Sequence, residues 1–237
     1  MSMTDPRVVR SPLEEGRYRT LLGVLRGLRP YIEGRRVLDF GAGNGMALLG
    51  LLDLGAREVV GIEPEEKRVV QGTPAFRGMP NALLLHVSDT RSLPLEPESF
   101  DTVIANAVLE HIPQPRDAYI LEMWRVLRPG CVLVINETPN KYVPYESHTT
   151  KLWFNHWLPR EVAHRRAVRR GRFKAARTDW HSSGWRGLGY CEMVRPLRGR
   201  FELIPERTRA RHRVLAALGV PASIADPYPT WMLRKVA

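Results

Sequence analysis

A short apolar segment that runs straight into a cluster of glycines is the feature that most constrains the fold of this chain. Residues 36–40 read Arg-Val-Leu-Asp-Phe, and the next five read Gly-Ala-Gly-Asn-Gly. Apolar residues from Met46 to Leu54 then favour a helix, which Gly55, a residue common just after helix ends, would close. The pattern predicts a strand, a glycine-rich turn and a helix, as in a parallel α/β sheet.

The same alternation continues for about a hundred residues. We predict further strands at 58–63, 82–87, 100–105 and 131–136, with helices at 64–72 and 115–127. The uninterrupted apolar composition of these strands is typical of strands buried on both faces. For the helix at 115–127, the predicted inner stripe consists of Ala118, Leu121, Met123, Trp124 and Leu127.

Elements before and after this alternation complete the predicted domain. A leading helix is expected from Ser11 to Arg29, ended by Pro30. A helix at 190–197 and two late strands at 201–204 and 230–236 would close the sheet with an antiparallel edge. We therefore predict one domain over 1–237, with a leading helix at 11–30, a core at 35–140, an insertion at 141–185 and completion of the sheet at 186–237.

The composition favours a globular, cytoplasmic protein. The chain of 237 residues is 43% hydrophobic and 26% charged, and its polar first ten residues do not resemble a signal peptide. No run approaches the roughly 20 apolar residues of a membrane span. Cys131 and Cys191 lack metal-like or redox-like spacing, so we expect both to be small buried hydrophobes.

Acidic residues follow the ends of three consecutive predicted strands. Asp39 stands two residues before Gly41, Glu63 ends the second strand, and Asp89 comes just after the third. A carboxylate at the glycine turn disfavours a pyrophosphate, and Met46 breaks the third glycine of the dinucleotide pattern. The pattern favours a ligand with a cationic end and a free ribose diol, bound where parallel strands end.

Motifs in the first half resemble a known family. In chain order they are Val37–Gly45, Gly61–Pro64, Asp89, Leu93–Leu95, Ser99–Asp101, Leu109–Ile112 and Leu127–Gly130. Together they resemble the class I S-adenosylmethionine-dependent methyltransferases, in particular the type 11 group that includes the ubiquinone and menaquinone methyltransferases. The resemblance implies a doubly wound, Rossmann-like sheet of seven mostly parallel strands, the last antiparallel, with helices on both faces.

The resemblance also implies S-adenosylmethionine as the cofactor and assigns residues to its parts. Asp39 and the glycine turn would hold the methionine end, Glu63 the ribose, and Asn106 would line the cleft near the methyl group. Ser88 and Asp89 would hold the adenine. The residues expected to bind the cofactor are thus Asp39, Gly41, Ala42, Gly43, Glu63, Ser88, Asp89 and Asn106.

Three histidines are candidates for a catalytic role. His111 follows Glu110 in the Leu-Glu-His-Ile motif, and His148 and His156 lie in the insertion, which we expect to build the acceptor pocket. Glu146 with His148 and His156 offers metal-ligand chemistry, but its spacing is not diagnostic, so we predict no metal site. We expect methyl transfer to an oxygen or nitrogen of a small-molecule, glycan or lipid-linked acceptor.

Positive charge is concentrated in the second half. The chain has a net charge of +11, and residues 151–213 contain 17 Lys and Arg against 5 Asp and Glu. A basic helix at 159–174 beside Trp153, Phe154 and Trp157 suggests peripheral contact of residues 153–174 with an anionic membrane. Two alternatives stay open: an RNA methyltransferase, and a non-catalytic subunit that binds S-adenosylmethionine.

Overall fold

The computed structural model describes residues 12–204, 217–218 and 226–236. The predicted helix start at Ser11, the polar stretch at residues 1–10, residues 205–216 and 219–225, and residue 237 lie outside the described residues. The chain divides into two compact units. The first comprises the chain up to Ile104 together with Glu122–Leu133, and the second comprises Ala105–Leu121 with Val134–Val236.

The elements of the first half follow the predicted alternation closely. In chain order they are α1 (Pro12–Leu25), β1 (Arg36–Phe40), α2 (Met46–Asp53), β2 (Glu58–Glu63), α3 (Glu66–Gly72), β3 (Ala82–His86), β4 (Phe100–Asn106), α4 (Asp117–Val126) and β5 (Leu127–Asn136). Short 3₁₀ helices lie at Arg26–Tyr31, Thr73–Phe76 and Leu109–His111.

The second half contains shorter elements. They are β6 (Tyr145–Glu146), β7 (Leu152–Trp153), α5 (Arg160–Arg169), α6 (Tyr190–Val194), β8 (Phe201–Leu203) and β9 (Trp231–Lys235), with 3₁₀ helices at Asn155–Trp157 and Arg195–Leu197. The predicted helix at 190–197 is thus an α-helical turn followed by a 3₁₀ turn. The basic helix is shorter than predicted, and it ends at Arg169.

Seven strands form one mixed sheet in the order β3-β2-β1-β4-β5-β9-β8. β1 pairs in parallel with both β2 and β4, and β2 pairs in parallel with β3. β8 and β9 pair antiparallel, so the sheet closes with the antiparallel edge expected from the sequence. The predicted α/β fold with a seven-stranded sheet is confirmed.

Two boundaries and one burial pattern differ from the predictions. The α-helix α1 ends at Leu25 and a 3₁₀ helix containing Pro30 follows, because Pro30 has no N–H to donate to the carbonyl of Arg26 and its ring would clash with that carbonyl in an α-helix. β5 already begins at Leu127, so Arg128–Gly130 belongs to the strand. β3 is the edge strand, and Leu83 is 50% exposed there, which corrects the expectation of burial on both faces.

The predicted inner stripe of α4 is partly wrong. Ala118 and Leu121 are exposed, whereas Ile120 joins Met123, Trp124 and Leu127 among the buried residues. Ile120, Met123 and Trp124 follow the i, i+3, i+4 spacing of one helix face, whereas Leu127 is the first residue of β5, and the predicted set mixed two faces. The cysteine prediction is also wrong: Cys131 is only partly buried and Cys191 is exposed.

Close packing fixes the glycine turn against β2 in the first unit. A Cβ at Gly61, in the middle of β2, would lie 2.7 Å from Cβ of Ala42 and 2.8 Å from Leu48. Real Cβ atoms do not approach other atoms so closely, and only glycine at position 61 allows this contact. The turn that follows β1 is therefore held in place by the neighbouring strand.

An aromatic core supports α5 in the second unit. Ala163 and Ala167 of this helix are fully buried with Phe173, Trp180 and Trp185. The rings of Trp180 and Trp185 stack with centroids 4.7 Å apart. Among the described helices, none is long and apolar enough to cross a membrane.

Candidate cofactor and acceptor sites

The glycine turn after β1 uses most of its amides within the protein. The N–H groups of Gly41 and Ala42 both donate to the carbonyl of Ile62, and that of Gly45 donates to the carbonyl of Ala42. Gly41, Gly43 and Gly45 have positive φ, a conformation that favours glycine. Because these donors are already satisfied, the turn lacks the free amide array that holds a phosphate.

Asp39 is a buried carboxylate at the end of β1. It is 2% exposed, and its Oδ2 atom has no hydrogen-bond partner. Burial, with a smaller contribution from the negative charge of Glu63, raises the pKa of Asp39 to about 7. A buried acceptor without a donor is costly, so this site is suited to a ligand that brings a positive charge or an N–H group.

Glu63 lies at the end of β2 and is also buried. One carboxylate oxygen accepts the Gly43 N–H at 2.8 Å, and the other accepts the Glu65 N–H at 3.0 Å. Each oxygen retains a lone pair, because an ionised carboxylate offers about four acceptor positions. The two remaining positions match the two hydroxyls of a ribose.

Asp89 and Ser88 lie beyond β3 and are exposed. The Arg91 guanidinium donates to both oxygens of Asp89, at 2.8 and 2.9 Å. These hydrogen bonds lower the pKa of Asp89 to about 2. Asp89 is therefore an anion at neutral pH, and an adenine amino group would share it with Arg91.

Asn106, the last residue of β4, belongs to a polar chain in the second unit. Its Oδ1 accepts from Nδ2 of Asn136 at 2.9 Å, and Oδ1 of Asn136 accepts from the Thr230 hydroxyl at 2.7 Å. Asn136 is buried. The chain of hydrogen bonds fixes the orientation of the Asn106 amide and leaves its nitrogen for another partner.

Two of the three candidate histidines come together with an acid that sequence reasoning treated only as part of a motif. Glu110, His111 and His148 place one ligand atom each within 4.8 Å of one another, and we call them the Glu110 cluster. The rings of His111 and His148 are 5.5 Å apart. Burial raises the pKa of Glu110 above its ordinary value, and burial together with His111 lowers the pKa of His148.

His156 and Glu146 have structural surroundings instead. His156 is 5% exposed, its Nε2 lies 3.0 Å from the Lys141 carbonyl, and burial lowers its pKa. Glu146 accepts the N–H groups of His148, Thr149 and Thr150 and the Thr150 hydroxyl. Its carboxylate thus closes a turn, and the metal set of Glu146, His148 and His156 considered from the sequence does not form among the described residues.

A cavity of about 190 Å³ lies in the second unit, and we call it the arginine cavity. Its lining residues are Glu110, Ile112, Pro113, Gln114, Arg116, Arg160, His181, Trp185 and Arg186. Arg116 is paired with Glu192 at 2.7 Å, so its charge is neutralised. Arg160 is likewise paired, with Glu161 at 2.8 Å, so Arg186 supplies the positive charge that the lining offers to an anionic group.

Four exposed aromatic residues form a surface patch in the second unit. Tyr145, Trp153, Phe154 and Trp157, which we call the aromatic patch, are 37–58% exposed. Successive ring centroids are 5.2 to 6.1 Å apart. Arg166 of α5 donates to the Trp153 carbonyl at 2.8 Å, which ties the basic helix to the patch. On α5 itself, Ala163 and Ala167 are buried, whereas Val162 is 40% exposed.

Comparison with known proteins identifies relatives for much of the chain. Residues 38–135 match the family model of a methyltransferase domain. A tRNA U34 carboxymethyltransferase of Methylococcus capsulatus is 41% identical over 115 residues, covering 47% of this chain and 34% of that protein. The tRNA U34 carboxymethyltransferase of Pseudomonas aeruginosa is 30% identical over 205 residues, covering 81% of this chain and 61% of that protein.

The chain therefore spans between 34% and 61% of the length of these two relatives. A solved structure of an S-adenosylmethionine-dependent methyltransferase from Mesorhizobium loti matches 94% of this chain and 97% of its own, with a TM-score of 0.57 and 17% identity. At that identity the likeness concerns the fold alone, and it agrees with the sheet described above.

Proposed function

We propose that this chain, which carries a class I S-adenosylmethionine-dependent methyltransferase domain matched over residues 38–135, transfers a methyl group from S-adenosylmethionine to an acceptor. The observation that carries the proposal is the buried Oδ2 of Asp39, which has no hydrogen-bond partner among the described residues. It lies beside a glycine turn whose N–H groups mostly donate to acceptors within the protein. Such a site excludes a phosphate and favours the ammonium of a methionine group.

We assign one acidic residue to each of three parts of the cofactor. Asp39 would accept the ammonium, Glu63 the two ribose hydroxyls through its remaining lone pairs, and Asp89 the adenine amino group. S-adenosylmethionine, when bound, supplies an electrophilic methyl group on a sulfonium. The remaining task of the protein is to orient an acceptor atom in line with that group and to exclude water.

Binding and transfer are tested separately. Isothermal titration should show one S-adenosylmethionine per chain for the wild type and for Arg77→Gln, an exposed control, and much weaker binding for Asp39→Asn. Labelled S-adenosylmethionine is then incubated with fractionated cell extract, and the label is sorted into RNA, lipid, glycan, protein and small molecules. Binding without any labelled product would favour the non-catalytic subunit, and absence of binding would overturn the proposal.

For the acceptor, a specific observation favours RNA. Two relatives are named as tRNA-modifying enzymes, and one aligns over 81% of this chain, well beyond the matched domain. In the second unit, the aromatic patch stands beside the basic helix α5, and these are the surfaces that hold unpaired bases and phosphates. Small-molecule, glycan and lipid-linked acceptors, expected from the sequence, are the alternatives.

Charge reversal on α5 separates an RNA from a membrane surface. Arg165→Glu with Arg169→Glu, both exposed, should weaken binding of a single-stranded RNA by at least about tenfold at low salt, because two phosphate contacts are lost. Trp153→Ala should weaken it further by loss of stacking. Arg17→Glu with Arg77→Glu, both exposed in the first unit, is the charge-matched control. Flotation with acidic liposomes instead of RNA binding would identify the surface as a membrane contact.

A further inference from the structure

The Glu110 cluster has the composition of a metal site. We propose that Glu110, His111 and His148 bind a divalent transition metal ion, with zinc as the reference ion. Their ligand atoms lie within 4.8 Å of one another, and the cluster combines one buried, one partly buried and one exposed side chain. Two imidazoles and one carboxylate that leave a coordination position open form a donor set typical of catalytic zinc.

Glu110 provides the observation that points to a ligand. Its side chain is fully buried, and its Oε2 accepts from the Thr138 hydroxyl at 3.0 Å. Its Oε1 is buried without a hydrogen-bond partner and lies 3.9 Å from Nε2 of His111. A buried carboxylate oxygen without a donor is destabilising, and a cation between it and the histidine would remove that cost.

The protein holds His111 in the orientation that a metal ligand needs. Its Nδ1 lies 2.6 Å from the carbonyl oxygen of Ser182, so Nδ1 carries the proton and donates it there. The lone pair is then on Nε2, the atom nearer to Glu110. A backbone carbonyl that fixes the tautomer of a histidine is a common outer contact of metal ligands.

His148 is brought to the same place by two backbone features. Its N–H donates to the Glu146 carboxylate at 2.7 Å, which fixes the turn that carries it. A Cβ at Gly184 would lie 2.7 Å from Cδ2 and 2.9 Å from Nε2 of His148, and 3.1 Å from Cγ of Glu110. Because Gly184 has no Cβ, the side chains of His148 and Glu110 can occupy this space.

The chemistry of the site follows from where Glu110 lies. Glu110 also lines the arginine cavity, with Arg160 and Arg186. A metal ion at Glu110 would lower the pKa of a hydroxyl or water bound to it and so prepare an oxygen nucleophile. This role rests on the proposed methyl transfer, whereas metal binding itself does not.

Metal binding is tested on the full chain by cobalt spectroscopy. The protein is stripped with a chelator and titrated with Co²⁺, whose visible absorption reports imidazole and carboxylate ligation. One equivalent should bind, and Zn²⁺ should displace it. His148→Ala and Glu110→Gln should each weaken Co²⁺ binding by about 100-fold, and Thr138→Val by about tenfold, since outer contacts contribute 10- to 100-fold. His86→Gln, an exposed histidine on β3, is the control and should bind as the wild type does.

Titration with S-adenosylmethionine separates this proposal from the proposed function. Each variant should retain its S-adenosylmethionine affinity within about twofold, since Asp39 and Glu63 are untouched, and that result also shows that the variant is folded. Absence of a Co²⁺ spectrum at millimolar metal, or an unchanged spectrum in His148→Ala and Glu110→Gln, would overturn the metal site. A pH-dependent transfer rate lost in Glu110→Gln without any Co²⁺ binding would identify a proton relay in its place.

Discussion

Two buried carboxylates, one in each unit, have the same burial and opposite surroundings. Asp39 is 2% and Glu146 is 5% exposed. Glu146 accepts three backbone N–H groups and one hydroxyl, whereas Oδ2 of Asp39 accepts none. Donors within the protein offset the desolvation of Glu146, but not that of Asp39. A buried carboxylate whose acceptor positions are filled by the protein supports the fold, whereas one with an unpaired oxygen is available to a ligand.

Glu110 lies between these extremes, and that makes the comparison useful. One of its oxygens accepts from Thr138, and the other has no partner. One oxygen of the Glu110 carboxylate is thus held within the protein, and the other is available to a ligand. Substitutions at these three acids should consequently change the free energy of unfolding by amounts that differ in sign as well as in size.

The largest expected effect is at Glu146. Glu146→Ala leaves three backbone donors and the Thr150 hydroxyl without their acceptor, and each buried donor left unpaired costs about 1 to 3 kcal/mol. We expect a loss of at least about 4 kcal/mol in the free energy of unfolding, measured by urea denaturation. Glu161→Ala is the control, because its side chain is 67% exposed and pairs with the exposed Arg160. A loss at Glu146 no larger than at Glu161 would contradict the structural role.

The opposite sign is expected at Asp39. The pKa of Asp39 is raised to about 7, so between its ordinary value near 3.8 and 7 the folded protein holds a proton that the unfolded chain releases. The folded state is therefore destabilised progressively as the pH rises through this window. Asp39→Asn removes the charge and should remove that penalty.

Denaturation of the wild type and of Asp39→Asn in the absence of S-adenosylmethionine tests this pH dependence. The unfolding free energy of Asp39→Asn minus that of the wild type should be near zero at pH 4 and should approach about 4 kcal/mol, the limit set by the shift, at pH 8. A difference that is independent of pH would show that Asp39 is already ionised at low pH, and the contrast with Glu146 would disappear.

The strand–turn–helix pattern explains why the positions of Asp39 and Glu63 near the ends of β1 and β2 were predictable, whereas their contacts with a cofactor stay a prediction. Both residues stand at ends of parallel strands, and local periodicity places such ends at one edge of a sheet. The Glu110 cluster was not predictable in this way. Glu110 meets Thr138 across 28 positions, and His111 meets Ser182 across 71. Such contacts depend on how irregular segments fold back, and no periodic pattern encodes them.

Burial was equally hard to infer where a helix face was ambiguous. The apolar residues of α4 fit more than one stripe, and only packing selects Ile120 over Leu121. Glu110 stands in a short motif between Leu109, which is fully buried, and His111. Burial of Leu109 would have indicated that Glu110 is buried too, but that burial could not be inferred before the fold was known.

The affinity for S-adenosylmethionine gives a second test of Asp39. At pH 8, Asp39→Asn should weaken S-adenosylmethionine binding by about 100-fold, because a charge-assisted hydrogen bond to the ammonium is worth about 1.5 to 3 kcal/mol. In the wild type, affinity should fall about tenfold per pH unit below 7, since the cation requires the ionised carboxylate. Calorimetry in two buffers of different ionisation enthalpy should detect the released proton near pH 6, and a flat pH profile would count against Asp39 as the ammonium ligand.

The smallest effect is expected at Asp89, the exposed acid of the same site. Its carboxylate already accepts three hydrogen bonds from Arg91, one from the backbone N–H and two from the guanidinium, so an adenine amino group would share the carboxylate with them. Asp89→Asn should weaken S-adenosylmethionine binding by only about fivefold, because the hydrogen bond is exposed to water. It should leave the dependence on pH unchanged, because the pKa of Asp89 is about 2 and lies far below the range measured. A loss as large as that of Asp39→Asn would mean that exposed and buried acids contribute alike, and burial would then be no guide to which carboxylate holds the ligand.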